Sequence, residues 1–385
     1  MRSLDDLIRP GSTVALADGV GSPTVLLSDL SRAAARAGDV TLLLGWTVGS
    51  LDALDIGSFA RVRTTMSGFA LRKLVDDGAV SYLPVRIGSV PSLVRDVLRP
   101  DILVASVVRR EGGFRFGSEV GWLPAAVDAG AIVAAVERPT LPACDAGPPL
   151  PADRVVVIGT ADDPAYEIPP PDLNDDHRTI GERVARLVPA GAVIQFGPGA
   201  IAEAACAAID VPVRVASGLL ADPVVALDRR GLLIGEPQAA YLAGTAELYA
   251  WADGRPLLQP CDVTHDAGRL GAFGAPFVAI NTALEIDLDG QVNVETAGGS
   301  TIGGIGGHPD FAFAAARLPA SLSVIALTSA SRNGHPTLVE RLSGPVTTPS
   351  HDVDVVVTEH GTADLRGLSR RERRAAIARL WPGLL

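Results

Sequence analysis

Lysine is almost missing from this 385-residue chain: Lys73 is the only one, and arginine carries nearly all the positive charge. Schiff-base chemistry on a lysine amine is therefore confined to one position. Cysteine is scarce as well. Cys144, Cys206 and Cys261 are odd in number and scattered, with no CxxC spacing, which excludes a disulfide framework and a paired-thiolate zinc site. They read as reduced, structural thiols. No apolar run approaches the ~18 residues of a membrane span. The opening MRSLDDLIRPGS has no apolar signal core, so the expectation is a soluble, cytoplasmic protein without a membrane partner. Basic surplus is missing too. A net charge of −11 argues against a nucleic-acid partner, although one local basic pocket for a phosphorylated small molecule remains allowed.

Familiar catalytic signatures are also absent. There is no GxSxG, Walker A or HExxH pattern, and GIGGHPD lacks the spacing and βαβ context of a dinucleotide fingerprint. The six histidines (His177, His265, His308, His335, His351 and His360) show no ligand spacing, and no metal is expected.

What the chain does have is an apolar content of 47%, enough for cores in two domains of ordinary size. STVALA, a Gly19-Val20-Gly21 turn, the helix-patterned PTVLLSDLSRAAARAG and the buried run VTLLLG set a βαβ rhythm. It continues through YLPVRIG, DILVASV and AIVAAVE, which predicts a largely parallel, covered sheet. Two proline-rich stretches, 138–152 and 166–173, flank the strand VVVIG and mark the passage between domains. The expected domains are 1–173 and 174–385. The second opens on a helix capped by Asn174 or Asp175, with Ile180, Val184 and Leu187 on one face. PGSTVALADGVGSP and PAGAVIQFGPGAIAE share a strand, a GxG turn and a helix, a weak repeat that suggests two similar α/β halves. AELYAWA, APFVAIN, SVIALTS and DVDVVVT read as strands of one more sheet. Ser369 and Glu372 form a capping box for a last helix.

The densest stretch is 284–318. LEIDL and QVNVE alternate apolar and polar residues around Asp289-Gly290, which predicts a hairpin on a type I′ turn. A loop crowded with Gly298, Gly299, Gly303, Gly304, Gly306 and Gly307 follows, and Pro309 opens the short helix FAFAAARL. So many glycines imply close approach of something to the backbone, or positive φ. A glycine loop at a helix start aims free N–H groups at one spot, where an oxyanion or anion can sit. Gly197-Pro198-Gly199 before Ala200 is a weaker case of the same device, and Gly19-Val20-Gly21 reads as tight packing alone. Glu359 ends the apolar strand VVVT, where α/β sheets meet their ligands. Glu285 and Glu295 read as solvent-facing or sheet-edge charges of the hairpin.

Four motifs in order, EIPPPDLNDDHRTIGERVARLVPAGAVIQFGPGAI, INTALEIDLDGQVNVE, GIGGHPDF and VVVTEHGTADLRGLSRRER, resemble the acetyl-CoA hydrolase/transferase family. That family includes acetate, succinate and 4-hydroxybutyrate CoA-transferases, and the resemblance covers nearly the whole chain. It implies two related open α/β domains with mainly parallel sheets and a cleft between them, a homodimer at least, and acyl-CoA as substrate with a small carboxylic acid as second partner. It implies that Gly197, Pro198, Gly199, Ala200 and Ile201 line the coenzyme A pocket. Gly303, Gly306 and Gly307 would contact CoA, the Gly307 amide would help form an oxyanion hole, and Glu359 would sit beside the reacting centre.

The family's nucleophile is a glutamate in a strand-end motif matched here by VRVASGLLADPVVAL. Ser217 and Asp222 line up with it, but Gly218 stands at the nucleophile's position. Glycine cannot form a glutamyl thioester. Oxyanion donors alone supply about 3–4 kcal/mol, short of the ~8 kcal/mol at the low end of enzymic catalysis. The vacated space could admit water, oriented by Glu359 or Asp222 as general base. RLPASLSVIA replaces a Lys/Gly-rich stretch of relatives, leaving Arg317 or Arg332 for its phosphate contact, and the family's EHG turn appears as Glu111-Gly112-Gly113. Two readings stand: an acyl-CoA enzyme working by hydrolysis or CoA transfer, and a catalytically silent CoA-binding pseudoenzyme or partner subunit.

Overall fold

The structure, a computed structural model, describes residues 2–383. Two compact units emerge from the packing. One runs to Ile168 and includes Ala239–Val263; the other is formed by Pro169–Gln238 and the chain from Thr264 onward. The break at Ile168/Pro169 lies inside the second proline-rich stretch. Residues 239–263, which the sequence reading gave to the second domain, pack with the first.

In the first unit β1 (Thr13–Leu16), β2 (Thr41–Leu44), β3 (Arg61–Thr64), β4 (Ser81–Tyr82), β5 (Ile102–Arg110), β6 (Gly113–Arg115), β7 (Ile132–Glu137) and β8 (Val155–Thr160) form one sheet. Its order is β4-β3-β2-β1-β5-β7-β8, with β6 on β5. All pairs are parallel except β5 with β6. Continuous apolar runs make such strands because both faces are covered: β5 is buried from Ile102 to Val108. YLPVRIG contributes only Tyr82 to a strand, the two-residue β4, since Pro84 cannot donate to a ladder. α1 (Leu27–Ala37) buries Leu27, Leu30, Ala33 and Ala34 on one stripe.

The Gly19-Val20-Gly21 turn is closed by a buried acid. Gly21 N–H donates to Glu119 Oε2 (3.0 Å), as does the Ser118 hydroxyl (2.7 Å). Asp18 Oδ2 accepts from Trp46 N (2.9 Å) and Trp122 Nε1 (3.0 Å). Burial, against these hydrogen bonds, pushes Asp18 up to about 6 and Glu119 up to about 7.

The second unit opens on α2 (Asp175–Ala185), capped by Asn174, whose Oδ1 accepts His177 N–H at 2.9 Å. Its sheet contains β9 (Val193–Phe196), β10 (Arg214–Val215), β11 (Phe277–Thr282), then β14 (Leu322–Ala326), β15 (Val355–Thr358) and β16 (Gly361–Asp364); the hairpin strands β12 (Glu285–Asp287) and β13 (Val292–Asn293) lie outside it. The order is β10-β9-β11-β14-β15-β16, parallel except for β16. α3 (Ala200–Ala208) leads from β9 to β10, and α5 (His308–Arg317) leads into β14. The three runs APFVAIN, SVIALTS and DVDVVVT are strands as expected.

AELYAWA is not a strand. It is α4 (Ala246–Ala252), in the first unit, because Leu248, Tyr249 and Ala252 are buried at helical spacing and Ala, Glu and Leu are strong helix formers. α6 (Arg370–Ala378) carries the expected capping box, with Ser369 N–H on Glu372 Oε2 at 2.8 Å. Cys144, Cys206 and Cys261 are buried and in no disulfide. Burial pushes the Cys144 thiol up to about 12. Among the described residues no helix is long and apolar enough to cross a membrane.

α2 and α3 pack backbone to backbone through one glycine. A Cβ on Gly181 would stand 2.5 Å from the Ala204 carbonyl carbon and 2.8 Å from its oxygen. Gly181→Ala is therefore expected to lower the unfolding free energy by about 1–3 kcal/mol, although alanine is the better helix former. Urea unfolding measures it, and a more stable variant would refute the packing.

A second expectation concerns Glu119. Its folded pKa lies above the unfolded value of 4.5, so the stability it contributes is full below that value and is lost as pH rises through about 7. Glu119→Gln should raise the melting temperature relative to the parent more at about pH 8 than at about pH 5. Equal shifts at both would show that this carboxyl does not titrate in that window.

Candidate active site

The second sheet has its topological switch between β9 and β11: the chain moves outward to β10, then returns to the far side of β9. Ligands of open α/β sheets bind at the carboxyl ends of the strands flanking such a switch. The sequence-predicted residues follow those ends. Gly197-Pro198-Gly199 leaves β9 and Gly199, at φ 130°, caps α3. Such a φ is open to glycine and strained for other residues. Among the described residues no atom lies within 4 Å of a Cβ built on Gly197 or Gly199, so the turn faces open space. Ser217, after β10, donates its hydroxyl to Phe196 O at 2.9 Å, which fixes Gly218 beside that turn.

Gly218 and Gly307 converge on one side chain that the sequence did not single out, His265. A Cβ on Gly218 would meet His265 Nε2 at 3.0 Å, and one on Gly307 would come closer still. Gly307 (φ −92°) caps the ten-residue α5, which buries Phe311, Ala312, Ala314 and Ala315 against the sheet. The helix starts at His308, one residue before Pro309. Of the loop glycines 303–307 only Gly306 has positive φ, 59°; Gly307 is required by the imidazole instead. His265 is 7% exposed, its Nδ1 lies 2.8 Å from Thr264 Oγ1, and its ring rests on Phe311 with centroids 4.4 Å apart. No local pattern marks His265; only the fold brings it there.

The loop before Gly307 is held by the hairpin, which differs from the expected type. Asp287 N–H bonds to Gln291 O, Gly290 N–H bonds to Asp287 O, and Gly290 has φ 85° while Asp289 does not have positive φ. That is a three-residue loop with a glycine bulge; a type I′ turn needs two positive φ values. Glu295 is buried rather than solvent-facing: its Oε1 accepts the Thr347 hydroxyl at 2.8 Å, and its carbonyl accepts the N–H groups of Ile302 (2.7 Å) and Gly303 (3.1 Å). Glu285 accepts from Ser343 N and Oγ (2.8 and 2.6 Å). At the start of α5, His308 has Nδ1 2.7 Å from Thr348 Oγ1, and burial lowers its pKa to about 4, so it is neutral near pH 7.

Glu359, directly after β15, forms a second cluster. Both carboxylate oxygens accept Ser329 N–H (3.1 and 3.0 Å), and Oε1 also takes the Ser329 hydroxyl. His360 Nε2 stands 3.2 Å from that hydroxyl and 3.4 Å from the carboxylate. Trp381 Nε1 fixes Ser329 O at 2.8 Å. Because the acid reaches the serine directly, this is not a relay through histidine. Asp222, at the start of a short helix, lies near Glu203 of α3; burial first, then the Asp222 charge, raises Glu203. Arg317 lies over the Phe313 ring, 4.8 Å from its centroid.

Residues 244–380, which hold His265, the 303–307 loop, Ser329 and Glu359, match the acetyl-CoA hydrolase/transferase C-terminal domain. The chain is 27% identical to the 4-hydroxybutyrate coenzyme A transferase of Clostridium kluyveri, over 95% of its own length and 90% of that protein's. It is 26% identical to the succinyl-CoA:acetate/propanoyl-CoA:succinate CoA transferase of Fasciola hepatica, over 97% and 82%. RipA from Yersinia pestis, a solved structure, shares the fold with a TM-score of 0.87 at 24% identity, covering 99% of this chain and 94% of that one. Over nearly its whole length the chain is thus similar to CoA-transferases, and residues 244–380 match the acetyl-CoA hydrolase/transferase C-terminal domain.

Proposed function

We propose that this protein binds an acyl-CoA thioester at the carboxyl edge of the second sheet and acts on it by hydrolysis or CoA transfer. The observation that carries the reading is the meeting of Gly218 and Gly307 at one imidazole edge, which puts the end of β10 and the N-terminus of α5 at a single spot. Helix-start N–H groups there suit the oxyanion of a thioester adduct, with the Gly307 amide as donor. The Gly197–Ile201 turn, unobstructed and opening α3, suits an anionic part of CoA, and Gly303 and Gly306 line the approach to Gly307. Glu359 is the acid nearest in kind to a transfer partner. Its two oxygens are engaged by Ser329, which fixes the orientation of the carboxylate. Asp222, whose charge helps raise Glu203 of α3, is the second acid on this side of the sheet. A small carboxylic acid is the acceptor if CoA is transferred, and two copies of the chain form the expected assembly.

Calorimetry with CoA, followed by thiol release from a panel of acyl-CoAs, tests the reading. Saturable binding with turnover of at least one thioester supports it, and no binding ends it. Binding without turnover would make the protein a silent CoA binder. Mass spectrometry separates the two reactions, since transfer through a carboxylate leaves a covalent CoA adduct and hydrolysis by water leaves none.

Gly218→Glu restores a carboxylate where the family resemblance puts one. Its Cβ contact with His265 at 3.0 Å asks the imidazole to yield by a few tenths of an ångström. The variant is expected to form an adduct that the parent does not. A folded variant with parental CoA affinity and no adduct would count against that position.

A further inference from the structure

We propose that Thr348 is a positioning residue for the Gly307 amide, closing the glycine-crowded segment of the second unit by holding both of its ends. The inference rests on the acyl-CoA reading above, in which that amide serves as an oxyanion donor. At one end the main chain of Thr348 pairs with β13. Val292 N–H donates to Thr348 O at 3.0 Å, and Thr348 N–H donates to Val292 O at 3.2 Å. At the other end the Thr348 hydroxyl oxygen lies 2.7 Å from His308 Nδ1. Val292 and His308 bracket residues 293–307, a stretch with six glycines.

Such a stretch has more backbone freedom to lose than any other of its length. Tying its two ends to one residue closes it as a loop of set span. Thr348 suits the task because it is itself held in place. It is fully buried, Pro349 follows it, and Arg373 of α6 donates to Ser350 O and Val353 O, both at 2.7 Å. Its neighbour Thr347 gives its hydroxyl to Glu295 Oε1 at 2.8 Å, so the two threonine hydroxyls have separate partners.

The tie reaches Gly307 through one peptide link. His308 is the first residue of α5 and Gly307 caps it, so an anchored imidazole at 308 limits where the Gly307 backbone can lie. Phe311, Ala312, Ala314 and Ala315 bury the rest of the helix. Burial lowers the His308 pKa to about 4; the anchor is a neutral ring and puts no cation at a helix N-terminus, where positive charge is disfavoured. An oxyanion donor is effective only within about 2.7–3.1 Å of the developing charge, and a misplacement of about 1 Å costs about 10²-fold. No bond or proton changes at Thr348 in this role.

Thr348→Val in the full chain removes the hydroxyl and keeps the side-chain shape. Thiol release from an acyl-CoA that the parent turns over is expected to lose about tenfold or more in kcat. CoA affinity by calorimetry is expected to stay within about threefold of the parent. Thr348→Ser keeps the hydroxyl and is expected to hold kcat within about threefold of the parent. Hydrogen exchange of the amides in 298–311 should quicken in the valine variant and not in the serine one. A smaller loss of kcat in Thr348→Val overturns the proposal and leaves the acyl-CoA reading intact. So does a serine variant as impaired as the valine one, or a matching fall in CoA affinity, the mark of a merely structural role. A parent that turns over no thioester ends both the reading as hydrolysis or transfer and this proposal. Should Thr348→Val not fold, His308→Leu breaks the same tie from the other side; the same loss of kcat at parental CoA affinity supports the role, and an unchanged kcat overturns it.

Discussion

Steric contact between one imidazole and two Cα positions governs the candidate site. His265 lies so close to Gly307 that no side chain fits there without a shift of the ring, and a Cβ on Gly218 would press on the same ring. Three segments distant in sequence are locked by it: the end of β10, the start of α5 and the turn at 264–266. The lock works because the ring is not free to swing, with Phe311 beneath it and Thr264 at Nδ1. Glycine at 307 is thus a packing requirement at an ordinary φ, whereas Gly199 and Gly306 are glycine for their backbone angles. One residue type serves two physical demands within a single edge of the sheet.

The weak internal repeat gains meaning from what lies against each GxG turn. In the first unit Gly21 is blocked by Ser118 and Glu119, whose atoms would stand within 2.5 Å of a Cβ. Its amide is spent on the Glu119 carboxylate. In the second unit Gly197 and Gly199 face open space. The same strand–turn–helix device is therefore closed by protein in one unit and unobstructed in the other. Sequence alone shows two turns of one kind; the third dimension separates the filled one from the open one.

Local signals were legible because their causes are local. The capping residues Asn174 and Ser369 and the apolar runs of β5, β7 and β11 depend on neighbours within a few positions. The glycine loop before α5 could likewise be placed from its composition. What failed depended on distant partners. AELYAWA could alternate or coil, and its buried face decided for the helix. The Asp289-Gly290 turn took a third residue because Gln291 bonds to Asp287 and not to Leu288. Glu295 carries no local sign of burial, since Thr347 lies 52 positions away. His265 was one histidine among six without spacing; contacts with residues 218, 307 and 311 single it out, and none of these is readable from a window of sequence.

The energetics of a site without a carboxylate at position 218 then follow. Oxyanion donors at a helix N-terminus supply about 3–4 kcal/mol, which by itself falls short of the ~8 kcal/mol of a modest enzyme. A positioned base contributes 10²–10⁴-fold, or about 3–5 kcal/mol, and the two together reach about 6–9 kcal/mol. Glu359 is poorly suited to supply that second share, because its oxygens already accept the amide and hydroxyl of Ser329. With glycine at 218, transfer through an enzyme-bound intermediate would need a carboxylate from another position, and hydrolysis would need a base and room for water.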